Sequence, residues 1–162
     1  MTSAEAVSPF VPNDPMYSLF KQALVFRESY NQPVEDALTQ PGGFIRSQLL
    51  CMQAGLISEE SKEFEEAISQ FKDDPLNREC QLEVLKELSD IVFVCYQFAA
   101  TYGLDLDTAM RRVFDSNMSK LGANGKPVYR SDGKVLKGPN YKPPLLEDLV
   151  PISRPQYDTG SK

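Results

Sequence analysis

Apolar residues recur at helical spacing along residues 44–121, and proline or glycine interrupts that pattern at only a few points. A helix turns by 100° per residue, so apolar positions stepping by three and four share one face. Ile45, Leu49, Met52 and Leu56 step in this way and predict a helix from about Phe44 to Phe71. Asp73-Asp74-Pro75 ends it, and Asp74 as cap with Pro75 in the first turn predicts a further helix to about Tyr102. The stripe of that helix is Leu85, Leu88, Ile91, Val92, Cys95 and Ala99, with Gly103 as its left-handed cap. Another helix is expected from Asp105, striped by Leu106, Ala109, Met110, Val113, Phe114, Met118 and Leu121, and stopped at Gly122. Upstream, Asp14-Pro15 opens a first helix that Asn31-Gln32-Pro33 closes near Tyr30. Residues 33–43 hold Pro33, Pro41, Gly42 and Gly43 and read as a loop.

The expected fold class is therefore all-α, an antiparallel four-helix bundle over residues 14–122. Residues 1–13 read as a flexible arm. Residues 123–162 read as a basic hairpin about Asp132-Gly133, with Val128 to Arg130 and Val135-Leu136 as its sides, followed by a proline-punctuated tail.

Charge divides the chain unevenly. The net charge is −6, but residues 1–110 carry −11 and residues 111–142 carry +6. An acidic body with a basic arm can hold a metal with one part and phosphate with the other; it gives no reason to expect a nucleic-acid partner. There is no histidine, which removes Ser-His-Asp and Cys-His catalysis and histidine-based zinc sites. Neither G-x-x-x-x-G-K-[ST] nor G-x-G-x-x-G occurs, so phosphate handling cannot rest on a P-loop or a Rossmann turn. Cys51, Cys80 and Cys95 form no C-x-x-C pair and read as buried free thiols in a reducing cytoplasm. No apolar run approaches the roughly 20 residues of a membrane span, and no basic-then-apolar leader opens the chain.

Carboxylates break into the apolar faces. Glu60 and Glu63 fall within roughly 30° of the centre of the stripe begun by Ile45 and Leu49, where the pattern asks for apolar side chains. Glu87 and Asp90, three apart on the next helix, share one face and precede the apolar turn Ile91 to Cys95. Glutamates at this spacing commonly form a solvated face. Here both pairs land on or beside an apolar stripe, where unpaired carboxylates are costly and repel one another. A divalent cation removes both penalties. Oxygen donors on rigid helices suit Mg²⁺, with Mn²⁺ able to substitute.

Glu60-Ser61-Lys62-Glu63 and Glu87-Leu88-Ser89-Asp90 resemble the E-x-x-E and E-x-x-D metal motifs of the MazG-like all-α nucleoside triphosphate pyrophosphohydrolases. That superfamily includes phosphoribosyl-ATP pyrophosphohydrolase and the dimeric dUTPases and dCTPases. F-R-E-S-Y-N-Q-P-V at 26–34, N-M-S-K at 117–120 and D-G-K-V-L-K-G-P at 132–139 resemble a narrower subgroup. The likeness covers residues 16–149 and is similar to the phage MazZ branch, which acts on dGTP or GTP. Arg27 departs from that subgroup, in which histidine is frequent at this place, and puts the usual substrate preference in doubt.

The resemblance implies hydrolysis of a nucleoside triphosphate to the monophosphate and pyrophosphate. Glu60, Glu63, Glu87 and Asp90 would bind about two or three Mg²⁺, and with no histidine available a carboxylate of the cluster is the plausible base. Asn117 continues the stripe of the fourth helix, so its amide is expected to face inward, with Lys120 one turn on. Lys126, Arg130 and Lys137 on the basic segment complete the expected phosphate ligands; Lys134, at the hairpin turn, is a poorer one. Tyr129 and Tyr141 either line the site or anchor the tail. Asn31 and Gln32, with Arg27 and Gln48, are weak candidates for reading the base. The implied partners are the nucleotide and further copies of the chain, as a dimer or tetramer in the cytoplasm. Two other readings use the same residues: an inactive nucleotide-binding regulator, and a structural adaptor with an acidic face.

Overall fold

The computed structural model describes residues 18–34 and 43–150, with side chains from Gln48 onward in the second stretch. Four helices follow in order: α1 (Leu19–Ser29), α2 (Gly43–Asp73), α3 (Arg78–Tyr102) and α4 (Leu106–Met118); a single 3₁₀ turn, Glu147–Leu149, comes last. No strand occurs among the described residues, so the all-α class holds.

Local chemistry sets the helix ends. The Ser18 hydroxyl accepts from the Lys21 N–H at 3.1 Å and caps α1. The expected cap at Asp14-Pro15, the arm 1–13 and the greater part of the loop 33–43 lie outside the described residues. Asn31 takes a left-handed φ of 52°, which asparagine tolerates better than most side chains. The Asn31 and Gln32 N–H groups donate to the carbonyls of Glu28 and Arg27 and close α1. Downstream, Asn77 replaces the expected Asp74 as the cap of α3, its side chain accepting from the Glu79 N–H at 2.9 Å. Asp74 and Pro75 instead form the reversing turn, which the Asn77 N–H closes onto the Asp74 carbonyl at 3.1 Å. Gly103 ends α3 at φ 63°, as its place in the sequence predicts. α4 stops at Met118 rather than Gly122. The N–H groups of Lys120 and Leu121 reach back only three residues, a tighter winding than the α-helix.

The chain separates into two compact units, with the division between Asp107 and Thr108. In the first, α1 and α2 each pack on α3. Its core is thin: Ala23, Tyr96 and Ala100 are buried together, with Phe20, Leu24 and Leu106 half-buried against them. Phe26 meets Phe93 edge-on at 5.3 Å. The buried face of α3 is Glu87, Val94, Tyr96, Gln97 and the run Ala99 to Tyr102. The leucine stripe expected to be covered is open instead, with Leu85 at 61% and Leu88 at 46% exposure, because α1 and α2, the helices packed on α3, leave it uncovered. The apolar turn after Asp90 is also only partly covered, for Val92 and Phe93 remain exposed. Cys51 is exposed and Cys80 and Cys95 half-buried, all free, which corrects the expectation of buried thiols.

In the second unit the hairpin reduces to one antiparallel bridge, Tyr129 to Val135. Arg130 N–H donates to the Lys134 carbonyl at 2.8 Å and Leu136 N–H to that of Val128 at 2.7 Å. Gly133, at φ 85°, makes the turn between them. The tail is tied down where the Ser116 hydroxyl donates to the Lys142 carbonyl at 2.8 Å and where Arg112 pairs with Asp148.

One polar layer lies inside the first unit. Arg27 is fully buried; its Nε donates to the Pro33 carbonyl at 2.6 Å and its Nη1 to Gln97 Oε1 at 3.3 Å. Its Nη2 and the Gln97 Nε2 have no partner among the described residues. Burial pulls the Arg27 guanidinium below its ordinary pKa. A buried cation without an anion is costly, so Gln97→Glu should stabilise the protein, replacing a partnerless nitrogen by a carboxylate oxygen. The melting temperature is expected to rise by roughly 2–4 °C at neutral pH. The new carboxyl would have a depressed folded-state pKa, so the gain should vanish as pH falls through that value. An unchanged or lower melting temperature would show that Arg27 is already neutralised.

Candidate metal centre

Only residues 74–77 separate α2 from α3, so the two helices form an antiparallel pair. Each step forward along α2 therefore matches a step back along α3. Glu63 falls at the level of Glu87, Glu60 at that of Asp90, and Gln53, two turns farther from the connection, at that of Gln97. Two glutamates three apart on one helix thus meet two acids three apart on the next.

Carboxylate oxygens of Glu60, Glu63 and Glu87 lie within 4.8 Å of one another. Glu87 is 2% exposed. Its Oε1 accepts from Lys86 Nζ at 2.5 Å, while its Oε2 has no donor among the described residues. The Lys86 ammonium holds the Glu87 carboxyl below the usual carboxylate range. Glu60 shifts the other way, raised first by desolvation and then by the charges of Glu63, Asp90, Glu87 and Glu59. Asp90 stands outside the closest triad, its carboxylate 42% exposed and 3.4 Å from Lys86 Nζ. It is still near enough to act on Glu60. Reading the sequence for acids alone misses Lys86, although its i, i+4 spacing to Asp90 is a readable signal. A groove of about 490 Å³, lined by Leu19 and Gln22 of α1 and by Leu88, Asp90, Val92 and Phe93 of α3, runs beside the acidic cluster's Asp90.

The donor set fits a hard divalent cation. Three carboxylates that repel one another, one of them carrying a buried oxygen without a partner among the described residues, are the arrangement a cation relieves. With neither histidine nor cysteine in the set, Mg²⁺ and Mn²⁺ suit it better than zinc.

The expected phosphate ligands all lie in the second unit, where Lys120 Nζ donates to Asn117 Oδ1 at 2.6 Å. Asn117 is exposed, against the expectation that it faces inward, because the α4 stripe itself is largely open: Met110, Phe114 and Met118 are half-exposed or more. Lys137 Nζ sits 4.2 Å from the centre of the Tyr141 ring. Arg130 is engaged by Asp132. Lys126 is exposed on the turn that Asn124 caps, and Lys134 and Tyr129 are exposed on the hairpin. Of the weak base-reading candidates, Asn31 and Gln32 terminate α1 and Gln48 is exposed on α2. Arg27 is sealed in the interior.

The family model described as phosphoribosyl-ATP pyrophosphohydrolase matches residues 34–117. That stretch spans α2, α3 and nearly all of α4 and contains all four acids of the two motifs. No curated protein sequence matches the chain.

Crowding among the carboxylates has a measurable signature. Because the folded-state pKa of Glu60 is raised, its ionised form opposes folding, and the protein gains stability as pH falls toward that pKa. In chelator at neutral pH, Glu60→Gln should raise the melting temperature by roughly 2–4 °C. With Mg²⁺ present the order should reverse. A variant that melts below the unsubstituted protein in chelator would show that repulsion does not govern stability at Glu60.

Proposed function

Because the chain belongs to the phosphoribosyl-ATP pyrophosphohydrolase family of nucleotide pyrophosphohydrolases, we propose that it cleaves a nucleoside triphosphate to the monophosphate and pyrophosphate with Mg²⁺. The observation that carries this reading is the convergence of Glu60, Glu63 and Glu87, whose carboxylate oxygens lie within 4.8 Å of one another, together with the burial of Glu87 Oε2 without a partner among the described residues. In the proposed mechanism these three, with Asp90, hold the cation. Bound there, Mg²⁺ supplies neutralisation of phosphate charge and a lower pKa for the attacking water. A carboxylate of the cluster accepts that water's proton, since the chain has no histidine to do so. Asn117, Lys120, Lys126, Arg130 and Lys137 provide donors for the phosphates. Asn31 and Gln32 are the proposed, weaker contacts to the base.

dGTP and GTP head the proposed substrates, on the chain's likeness to the phage MazZ branch of the subgroup that residues 26–34, 117–120 and 132–139 resemble. Phosphoribosyl-ATP, dUTP and dCTP are the alternatives within the superfamily. The proposed active form is a homodimer or homotetramer. Support comes from the open apolar side of α3, where Leu82, Leu85, Leu88 and Val92 stand exposed. No helix among the described residues is long and apolar enough to cross a membrane; a cytoplasmic location is part of the proposal.

A panel of ribo- and deoxynucleoside triphosphates, incubated with Mg²⁺ or Mn²⁺ and resolved by chromatography, tests the reading. The expected products are one monophosphate and pyrophosphate. Glu63→Gln should lower turnover by about 100-fold or more, and chelator should abolish it. Hydrolysis that persists in chelator, or a chain that turns over no nucleotide, would overturn it. Light scattering after size exclusion checks the oligomer, and a fully active monomer would contradict that part.

A further inference from the structure

The segment after the hairpin passes very close to the end of α4. Gly138 N–H donates to the Lys120 carbonyl at 2.9 Å. A Cβ added at Gly138 would lie 2.3 Å from the Leu121 carbonyl oxygen, closer than atoms can approach, so only glycine permits the contact. Four residues on, the chain is fixed again, with the Lys142 carbonyl accepting from the Ser116 hydroxyl at 2.8 Å and the Lys142 N–H donating to Ser119 Oγ at 2.8 Å. Residues 138–142 are thus clamped at both ends to residues 116–120, the end of α4 and the turn that follows it.

The clamp brings two tail side chains to two helix side chains. Lys137 stacks its ammonium on the Tyr141 ring, and Lys120, bonded to Asn117, lies close enough to act on the Tyr141 phenol by charge. The phenol is held below its ordinary pKa, chiefly by the neighbouring Ser116 hydroxyl and then by Lys137 and Lys120. The ammonium groups of Lys137 and Lys120 beside it give this place a positive potential, of the kind that draws an anion. Two arginines of this unit have partners that neutralise them: Arg112 pairs with Asp148 and Arg130 with Asp132. Among the described residues, the partners of Lys120 and Lys137 are neutral, an amide and a ring.

We propose that Tyr141, set in place by the Gly138 contact, completes an anion seat with Asn117, Lys120 and Lys137 that takes a di- or triphosphate group. Tyr141 donates its phenolic hydrogen to a phosphate oxygen while the two ammonium groups balance the charge. This deepens the pyrophosphohydrolase reading by adding a substrate-binding residue and a positioning residue, and as an assignment to the nucleotide's phosphates it rests on that reading.

The test uses the full chain and inorganic tripolyphosphate, titrated calorimetrically in chelator so that the carboxylate cluster takes no part. Tripolyphosphate is expected to bind, and Tyr141→Phe to weaken it about tenfold, the effect of one lost hydrogen bond to a charged group. Lys137→Gln should weaken it similarly, with Lys137→Arg retaining most of the affinity. Gly138→Ala should lose binding through displacement of the strap. In turnover assays Tyr141→Phe should raise KM about tenfold with kcat little changed. Melting curves of Tyr141→Phe matching the unsubstituted protein keep the comparison clean. Unchanged affinity in Tyr141→Phe and Lys137→Gln would overturn the seat and leave Tyr141 as a tail anchor. Tripolyphosphate binding that depends on Tyr141, in a protein that hydrolyses no nucleotide, would preserve the seat and sink the enzymatic reading instead.

Discussion

Repulsion between carboxylates drawn together by antiparallel pairing is the constraint on which the rest of this structure turns. Helices α2 and α3 are joined by so few residues that their register has little freedom. The acids on them are therefore brought to the same level whether or not a counter-charge is present. Burial of Glu87 and the raised carboxyl of Glu60 show the cost. Folding has placed charge where a hydrophobic pair would stabilise more, a local conflict characteristic of sites kept for chemistry.

That conflict was legible in the sequence because helical periodicity leaves little room for accident. Glu60 and Glu63 could be set on an apolar stripe by angle alone, and Glu87 and Asp90 by their spacing. The cap at Gly103 and the turn at Gly133 were equally readable, since glycine at those places answers a left-handed backbone demand. Helix starts were less so. Asp74-Pro75 carries the composition of a helix start, yet the chain spends those residues on reversing direction, and Asn77 does the capping. Composition identifies candidates for a cap; the geometry of the preceding turn selects among them.

Burial was the least legible property. The apolar stripes of α3 and α4 were read correctly as stripes, but much of their surface remains open, as Leu85 and Phe114 show. Periodicity tells which residues share a face and nothing about what covers that face. The same limit explains Asn117, whose place on a stripe suggested an inward amide. It also bears on Arg27, a weak candidate for reading the base that stands on the α1 face of Phe20 and Ala23 and is sealed inside against Gln97. Long-range pairs such as these depend on which elements adjoin, which spacing within one helix does not encode.

Lys86 gives the acidic cluster a counter-ion of its own, tethered one residue from Glu87 and one turn from Asp90. Any free ion that settles on these oxygens must compete with an ammonium that never diffuses away. Occupancy then becomes an exchange between a resident charge and a visiting one, weaker than capture by an empty cage and easier to reverse. A cation site built in this way would be loaded according to the surrounding ion concentration, and the tethered ammonium would keep its carboxylates from flying apart between visits.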